Sequence, residues 1–162
     1  MKPSNKAVFL DKDGTLIEDE PYSAGIPSFL PGVFPALRKL KGYLLVVVTN
    51  QSGIAKGLMT HDDVDAQRFA MEAMLEEEGI RLAGFYYCPH EGGCECRKPF
   101  PGMLFRAARE LDIALGQSYM IGDKPSDIDA GFRAGCHSLP APIPDAVSYI
   151  LRQQAGQHRA HA

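Results

Sequence analysis

Two stretches of the chain concentrate residues able to do chemistry. In "DKDGT", Asp11–Thr15, two carboxylates stand two residues apart directly after the apolar run "AVFL". Residues two apart in an extended segment point the same way, so Asp11 and Asp13 face one pocket while Lys12 faces elsewhere. Gly14 lets the chain turn sharply after them. Two carboxylates held together are costly unless a cation or a proton is shared. A Mg²⁺ ion would relieve one of them, and the other could carry a proton. The plainer alternative is a polar bend at Asp13-Gly14.

The second stretch is "CPHEGGCECRKP", where three of the four cysteines and one of the five histidines fall within nine residues. The spacing Cys88-x-His90-x₃-Cys94-x-Cys96 offers three thiolates and one imidazole, a soft tetrahedral set suited to Zn²⁺. With no fifth ligand in the pattern the site reads as closed and structural, and Gly92 and Gly93 let the short link fold back. A Cys94/Cys96 redox pair is the competing reading, and it leaves His90 unexplained. Cys136 stands apart and is expected as a buried apolar residue.

The elements that must carry these residues alternate. Strand-like runs are "AVFL" (7–10), "YLLVVVT" (43–49), "AGFYYC" (83–88) and "SYMIG" (118–122), with a short possible fifth at "CHSL" (136–139). The second run is nearly continuous in β-branched residues and leucine, which suits a strand covered on both faces of a parallel sheet. Helical patterns lie between them. "GVFPALRKLKG" has apolar residues at helical spacing. "THDDVDAQRFAMEAMLEEEG" opens with Thr60 as N-cap and Asp63 at the capping-box position, and closes on Gly79. "PGMLFRAARELD" opens on a proline, and "PSDIDAGFRAG" starts at Ser126 and closes on Gly135. Alternating strands and helices predict an α/β fold with right-handed crossovers. Each strand-like run ends in a polar cluster, where ligands bind in such sheets.

Composition is that of a globular chain: 162 residues, 45% hydrophobic, 23% charged, net charge −3. That length suits a single domain over residues 1–154, with 155–162 expected as a flexible tail. The charge gives no support to a nucleic-acid or membrane partner, and no apolar run approaches the roughly 20 residues that span a bilayer. The expectation is a soluble, cytoplasmic monomer.

Taken together, "DKDGT", "VVTNQSG", the "KP" lysine and "GDKPSD" resemble, in order and spacing, the four motifs of the haloacid-dehalogenase (HAD) phosphohydrolase superfamily, over Ala7 to Gly135. The resemblance implies a three-layer Rossmann-like core with a mainly parallel sheet, no large cap domain and a zinc-pinned loop. It implies that Asp11 is the nucleophile that accepts the phosphoryl group and that Asp13 is the general acid and base. Mg²⁺ would sit on the Asp11 carboxylate, the Asp13 carbonyl and the Asp123 carboxylate. Thr49 and Asn50 would meet phosphate oxygens, and Lys98 would neutralise charge on the transferred group. Asp127 tunes the metal or Lys124, or is a first-turn aspartate favoured by the helix dipole; Asp129 is structural.

"YYCPH…CxCRKPxPGM" is similar to the zinc-loop branch of that superfamily, which acts on heptose bisphosphate and histidinol phosphate. The resemblance implies removal of the 7-phosphate of D-glycero-D-manno-heptose 1,7-bisphosphate in lipopolysaccharide-core precursor synthesis. Histidinol phosphate or another small sugar phosphate is the alternative substrate, and a phospho-receiver module the alternative class. Arg97 would recognise the substrate, with Asp19 to Tyr22, Asn50, Gln51, Ser52 and Lys124 as further contacts. Two features depart from the branch: the three-residue link between His90 and Cys94, and the abbreviated chain after Gly135.

Overall fold

The computed structural model describes residues 2–161. Five strands, β1 (Lys6–Leu10), β2 (Tyr43–Asn50), β3 (Gly84–Cys88), β4 (Tyr119–Gly122) and β5 (His137–Pro140), form one sheet in the order β3-β2-β1-β4-β5, every pair parallel. The helices are α1 (Val33–Arg38), α2 (His61–Glu77), α3 (Gly102–Leu111), α4 (Pro125–Ala134) and α5 (Ile143–Ala160).

Alternation along the strands divides the core in two. Val8, Leu10, Leu45 and Val47 face α1, α2 and α5, meeting Val33, Leu37, Met71, Leu75, Val147 and Ile150. Ala7, Phe9, Val46, Val48 and Met120 face α3 and α4, meeting Met103, Leu104, Ala107 and Ala130. Buried on both faces, these strands read as continuous apolar runs. The result is the three-layer α/β/α architecture expected. The 11–32 connection folds back on itself through the bridge between Ile17 and Phe29.

Pairing registers set the site. Leu10 is level with Val47 and with Ile121, and Asn50 with Cys88. The Asp11 N–H donates to the Ile121 carbonyl at 3.0 Å, and the Gln51 N–H to the Cys88 carbonyl at 2.7 Å. The chain runs from β1 out to β2 and β3, then crosses back to β4 on the other side of β1. The polar motifs therefore gather at a topological switch point.

Local chemistry explains the element ends. The capping box at α2 is complete: the Asp63 N–H donates to Thr60 Oγ1 (3.1 Å) and the Thr60 N–H to Asp63 Oδ2 (2.8 Å). Gly79 follows at φ 74°, a conformation that favours glycine. Four boundaries differ from expectation. α4 begins at Pro125, because proline suits the first helical position and Asp127 Oδ2 accepts from the Lys124 N–H at 3.0 Å. α1 is only six residues long, and β5 lies one residue later than "CHSL". Residues 155–160 are not irregular; they extend α5 to Ala160 as exposed helical turns.

Candidate active site and metal centre

Three strand ends supply one cluster of charge. From β1 comes Asp11, 6% exposed; from the loop after β3, Lys98, 3% exposed; from the first turn of α4, Asp127, 1% exposed. Lys98 Nζ donates to Asp11 Oδ1 (2.7 Å), Asp127 Oδ1 (2.6 Å) and the Val48 carbonyl (2.8 Å). An ammonium has three N–H donors, so all are engaged. Thr15 Oγ1, buried behind the Gly14 turn, lies 3.4 Å from Asp11 Oδ2 and 3.3 Å from Asp123 Oδ1.

The electrostatics call for a cation. Carboxylate oxygens of Asp11, Asp123 and Asp127 converge within 4.8 Å of one another. Burial raises the Asp11 carboxyl above its usual range; Lys98 opposes this and Asp123 adds to it. Burial raises Asp127 in the same way, again with Lys98 pulling down. Burial pulls Lys98 down, but Asp11 and Asp127 more than offset it and its pKa stands above the ordinary value. Three carboxylates against one ammonium leave two negative charges, which a divalent ion with oxygen ligands matches. Gly14 makes the convergence possible: at φ 80° a Cβ there would stand 2.4 Å from Asp123 Oδ2.

Asp13 is gripped at both oxygens. Lys12 Nζ donates to Oδ1 (3.0 Å) and Gln51 Nε2 to Oδ2 (3.2 Å). Gln51 Nε2 also donates to Thr49 Oγ1 at 2.9 Å, which leaves the Thr49 hydroxyl proton as a donor. Asn50 clamps the main chain of Lys98: its Nδ2 donates to the Lys98 carbonyl (3.1 Å) and its Oδ1 accepts from the Lys98 N–H (3.0 Å).

A small cavity of about 40 Å³ is lined by Asp11, Asp13, Thr49, Asn50, Lys98, Lys124, Ser126 and Asp127. A wider cleft of about 240 Å³ shares Asp13, Asn50 and Lys124 with it and adds Asp19, Tyr22, Gln51 and Ser52. The residues expected at the reacting group and those expected around the substrate thus fall into two joined spaces. Arg97 is placed differently: its Nη1 donates to the His90 carbonyl at 3.3 Å, so it braces the cysteine loop. Lys12 reaches Gln67 on α2 but also donates to Asp13, so it does not simply face elsewhere as expected. Asp129 is exposed on α4, and Cys136 is buried in the second core.

The cysteine loop gathers a donor set suited to a tetrahedral ion. Cys88, His90, Cys94 and Cys96 place one ligand atom each within 4.8 Å of one another. His90 Nδ1 is 3.5 Å from Cys88 Sγ and 3.4 Å from Cys96 Sγ. Cys88 Sγ is 3.6 Å from Cys94 Sγ and 3.0 Å from Cys96 Sγ. Tetrahedral zinc sets such atoms roughly 3.5–3.8 Å apart, close to three of these four separations, with the Cys88–Cys96 contact shorter. No disulfide links them. Burial, with Cys96 alongside, pushes the Cys88 thiol up to about 12; a bound cation is what would hold it as thiolate.

Relatives place this geometry in a family. A model described as HAD-hydrolase-like matches residues 95–140. D-glycero-β-D-manno-heptose-1,7-bisphosphate 7-phosphatase of Haemophilus influenzae is 49% identical, covering 80% of this chain and 77% of the relative. The enzyme of the same name from Escherichia coli K12 is 44% identical, over 83% and 77%. The chain belongs to this phosphatase family. A solved heptose 1,7-bisphosphate phosphatase from B. bronchiseptica, complexed with magnesium and phosphate, superposes with a TM-score of 0.83 at 28% identity, over 91% of this chain and 99% of that one. The family's three-layer fold and hydrolase chemistry agree with the site.

Several residues in and around the charge cluster were not among the expected site residues. Ser126 and Thr15 carry hydroxyls inside recognised motifs. Asp127 caps α4 as a first-turn aspartate, and its other oxygen pairs with Lys98, a partner that neither expectation named. Gln67 did leave a signal. It is a polar residue on the buried stripe of α2, Val64, Gln67, Met71 and Leu75.

Proposed function

We propose that this chain removes the 7-phosphate of D-glycero-D-manno-heptose 1,7-bisphosphate by way of an aspartyl phosphate on Asp11. The observation that carries it is the small cavity holding Asp11, Asp13 and Lys98 and opening into a polar cleft, in a chain 44–49% identical to enzymes named for that reaction. A carboxylate oxygen of Asp11 forms a bond to phosphorus as the bond to the sugar oxygen breaks. That oxygen leaves with the proton of Asp13. Asp13 then takes a proton from water as the water oxygen attacks phosphorus, releasing phosphate and the Asp11 carboxylate.

Asp11, Asp123 and the Asp13 carbonyl would hold Mg²⁺, which supplies positive charge to the phosphoryl oxygens. Thr49 donates its hydroxyl to the same group. Lys98 aims Asp11, and Lys124, at the junction of the two spaces, serves phosphate and sugar alike. Asp19, Tyr22, Gln51 and Ser52 bind the sugar. Cys88, His90, Cys94 and Cys96 would hold Zn²⁺ as a structural ion.

Steady-state turnover of heptose bisphosphate, other sugar phosphates and histidinol phosphate with Mg²⁺ tests the reading. Highest kcat/KM on the heptose, lost in Asp11→Ala, is expected; faster histidinol phosphate hydrolysis would overturn the substrate. Near-wild-type turnover by Asp13→Asn would overturn the acid–base assignment.

A further inference from the structure

We propose that Gln67, on α2, is a positioning residue that acts on the acid–base carboxylate through Lys12. This rests on the acid–base role of Asp13 proposed above. Gln67 is 4% exposed, and Lys12 is 3% exposed. Gln67 Oε1 accepts a hydrogen bond from Lys12 Nζ, and the same ammonium donates to Asp13 Oδ1 at 3.0 Å. From the other side, Gln51 Nε2 donates to Asp13 Oδ2 at 3.2 Å. The carboxylate is therefore held by two arms, one anchored on α2 and one at the end of β2.

The position of Gln67 gives it meaning. It occupies a core-facing site between Val64 and Met71, where an apolar side chain would pack without an amide to desolvate. Its amide oxygen instead gives the buried ammonium a second acceptor. Without it, the buried Lys12 ammonium loses an acceptor, and nothing on that side fixes the direction from which it approaches Oδ1. Lys12 holds Oδ1 with a charged donor at 3.0 Å, and Gln51 holds Oδ2 with a neutral amide at 3.2 Å. Oδ2, the more weakly held oxygen, is therefore the one assigned the proton exchange with the sugar oxygen. A swing of the ammonium would turn that oxygen away from its target.

A merely structural anchor and a positioning residue differ in which substrates they affect. A sugar alkoxide needs a proton to leave, whereas 4-nitrophenolate does not. The quantity kcat/KM reports only steps up to aspartyl-phosphate formation, so the later water attack does not blur the comparison. Gln67→Met keeps the shape and removes the acceptor. Its kcat/KM on heptose bisphosphate is expected to fall about tenfold, a fraction of what a general acid supplies. On 4-nitrophenyl phosphate the loss should stay below about twofold. Gln67→Glu, which restores an acceptor, should return the sugar-phosphate value to within about threefold of wild type. Equal losses on both substrates, or none, would overturn the proposal.

Asp13→Asn serves as reference. If it shows the substrate split and Gln67→Met does not, the inference fails while the acid–base reading stands. If Asp13→Asn itself shows no split, that reading fails and the inference falls with it. Should Gln67→Met melt below assay temperature, Lys12→Met cuts the same arm and must show the same split; its absence there overturns the proposal equally.

Discussion

Lys98 holds three partners at once, and Asp127 is the carboxylate among them that takes no step in the proposed reaction. Removing it leaves a buried ammonium with Asp11 as its only carboxylate. Breaking a buried pair at one end typically costs about 3–5 kcal/mol. Asp127→Ala should therefore lower the urea midpoint by an amount equivalent to about 3 kcal/mol, and a midpoint within error of wild type would refute the pairing. Gly14→Ala tests geometry instead of charge. Its Cβ would meet Asp123 Oδ2 at 2.4 Å, so the carboxylate must move, and a displacement of about 1 Å can cost about 100-fold in rate. A Mg²⁺ titration should show both the loss and a raised half-saturating concentration; an unchanged titration would mean that Asp123 does not bind the ion. At this scale the paired aspartates were legible, because a two-residue spacing after a strand already implies a shared face. The environment of Lys98 was not, because its three partners lie 29, 50 and 87 residues away in sequence.

Elements were more legible than their ends. Continuous apolar runs located β1 to β4, and the Thr60–Asp63 pair marked the start of α2 to the residue. Losing the Thr60 hydroxyl leaves a helical N–H without its partner and should cost about 1 kcal/mol. Thr60→Ala should then show that loss in urea unfolding while kcat/KM is unchanged, since Thr60 lines neither site cavity. A fall in kcat/KM at full stability would show that α2's entry bears on the chemistry directly. The region after Gly135 was harder to read because its signals conflict. Pro140 ends an edge strand, where a missing N–H is tolerated, and Pro142 and Pro144 then open α5. Beyond Leu151 there is no apolar stripe to announce a helix. Alanine, glutamine and arginine nonetheless extend one that the core has already nucleated, since propagation costs far less than initiation.

Across the whole molecule, the cysteine loop ties the sheet edge to the charge cluster. Cys88 is fully buried at the end of β3, and Cys96 lies two residues before Lys98. Between them, Arg97 braces the His90 carbonyl, and the Gly102 N–H donates to the Glu95 carbonyl at 3.0 Å. Asn50 then fixes the Lys98 main chain from β2. An ion on Cys88, His90, Cys94 and Cys96 would thus determine where Lys98 enters the site without touching the phosphate. Two cations with different jobs should be separable. Stripping both with a chelator and restoring only Mg²⁺ should leave activity low, and adding Zn²⁺ should recover it. Cys94→Ser should lower bound zinc and kcat together, with the loop between Cys88 and Pro99 losing amide-exchange protection. Because Asn50 and Arg97 still hold the loop, the fall should be partial, about tenfold against the roughly 100-fold of a group displaced at the reacting centre itself. Full activity in the zinc-free enzyme would show that those hydrogen bonds alone deliver Lys98 to Asp11.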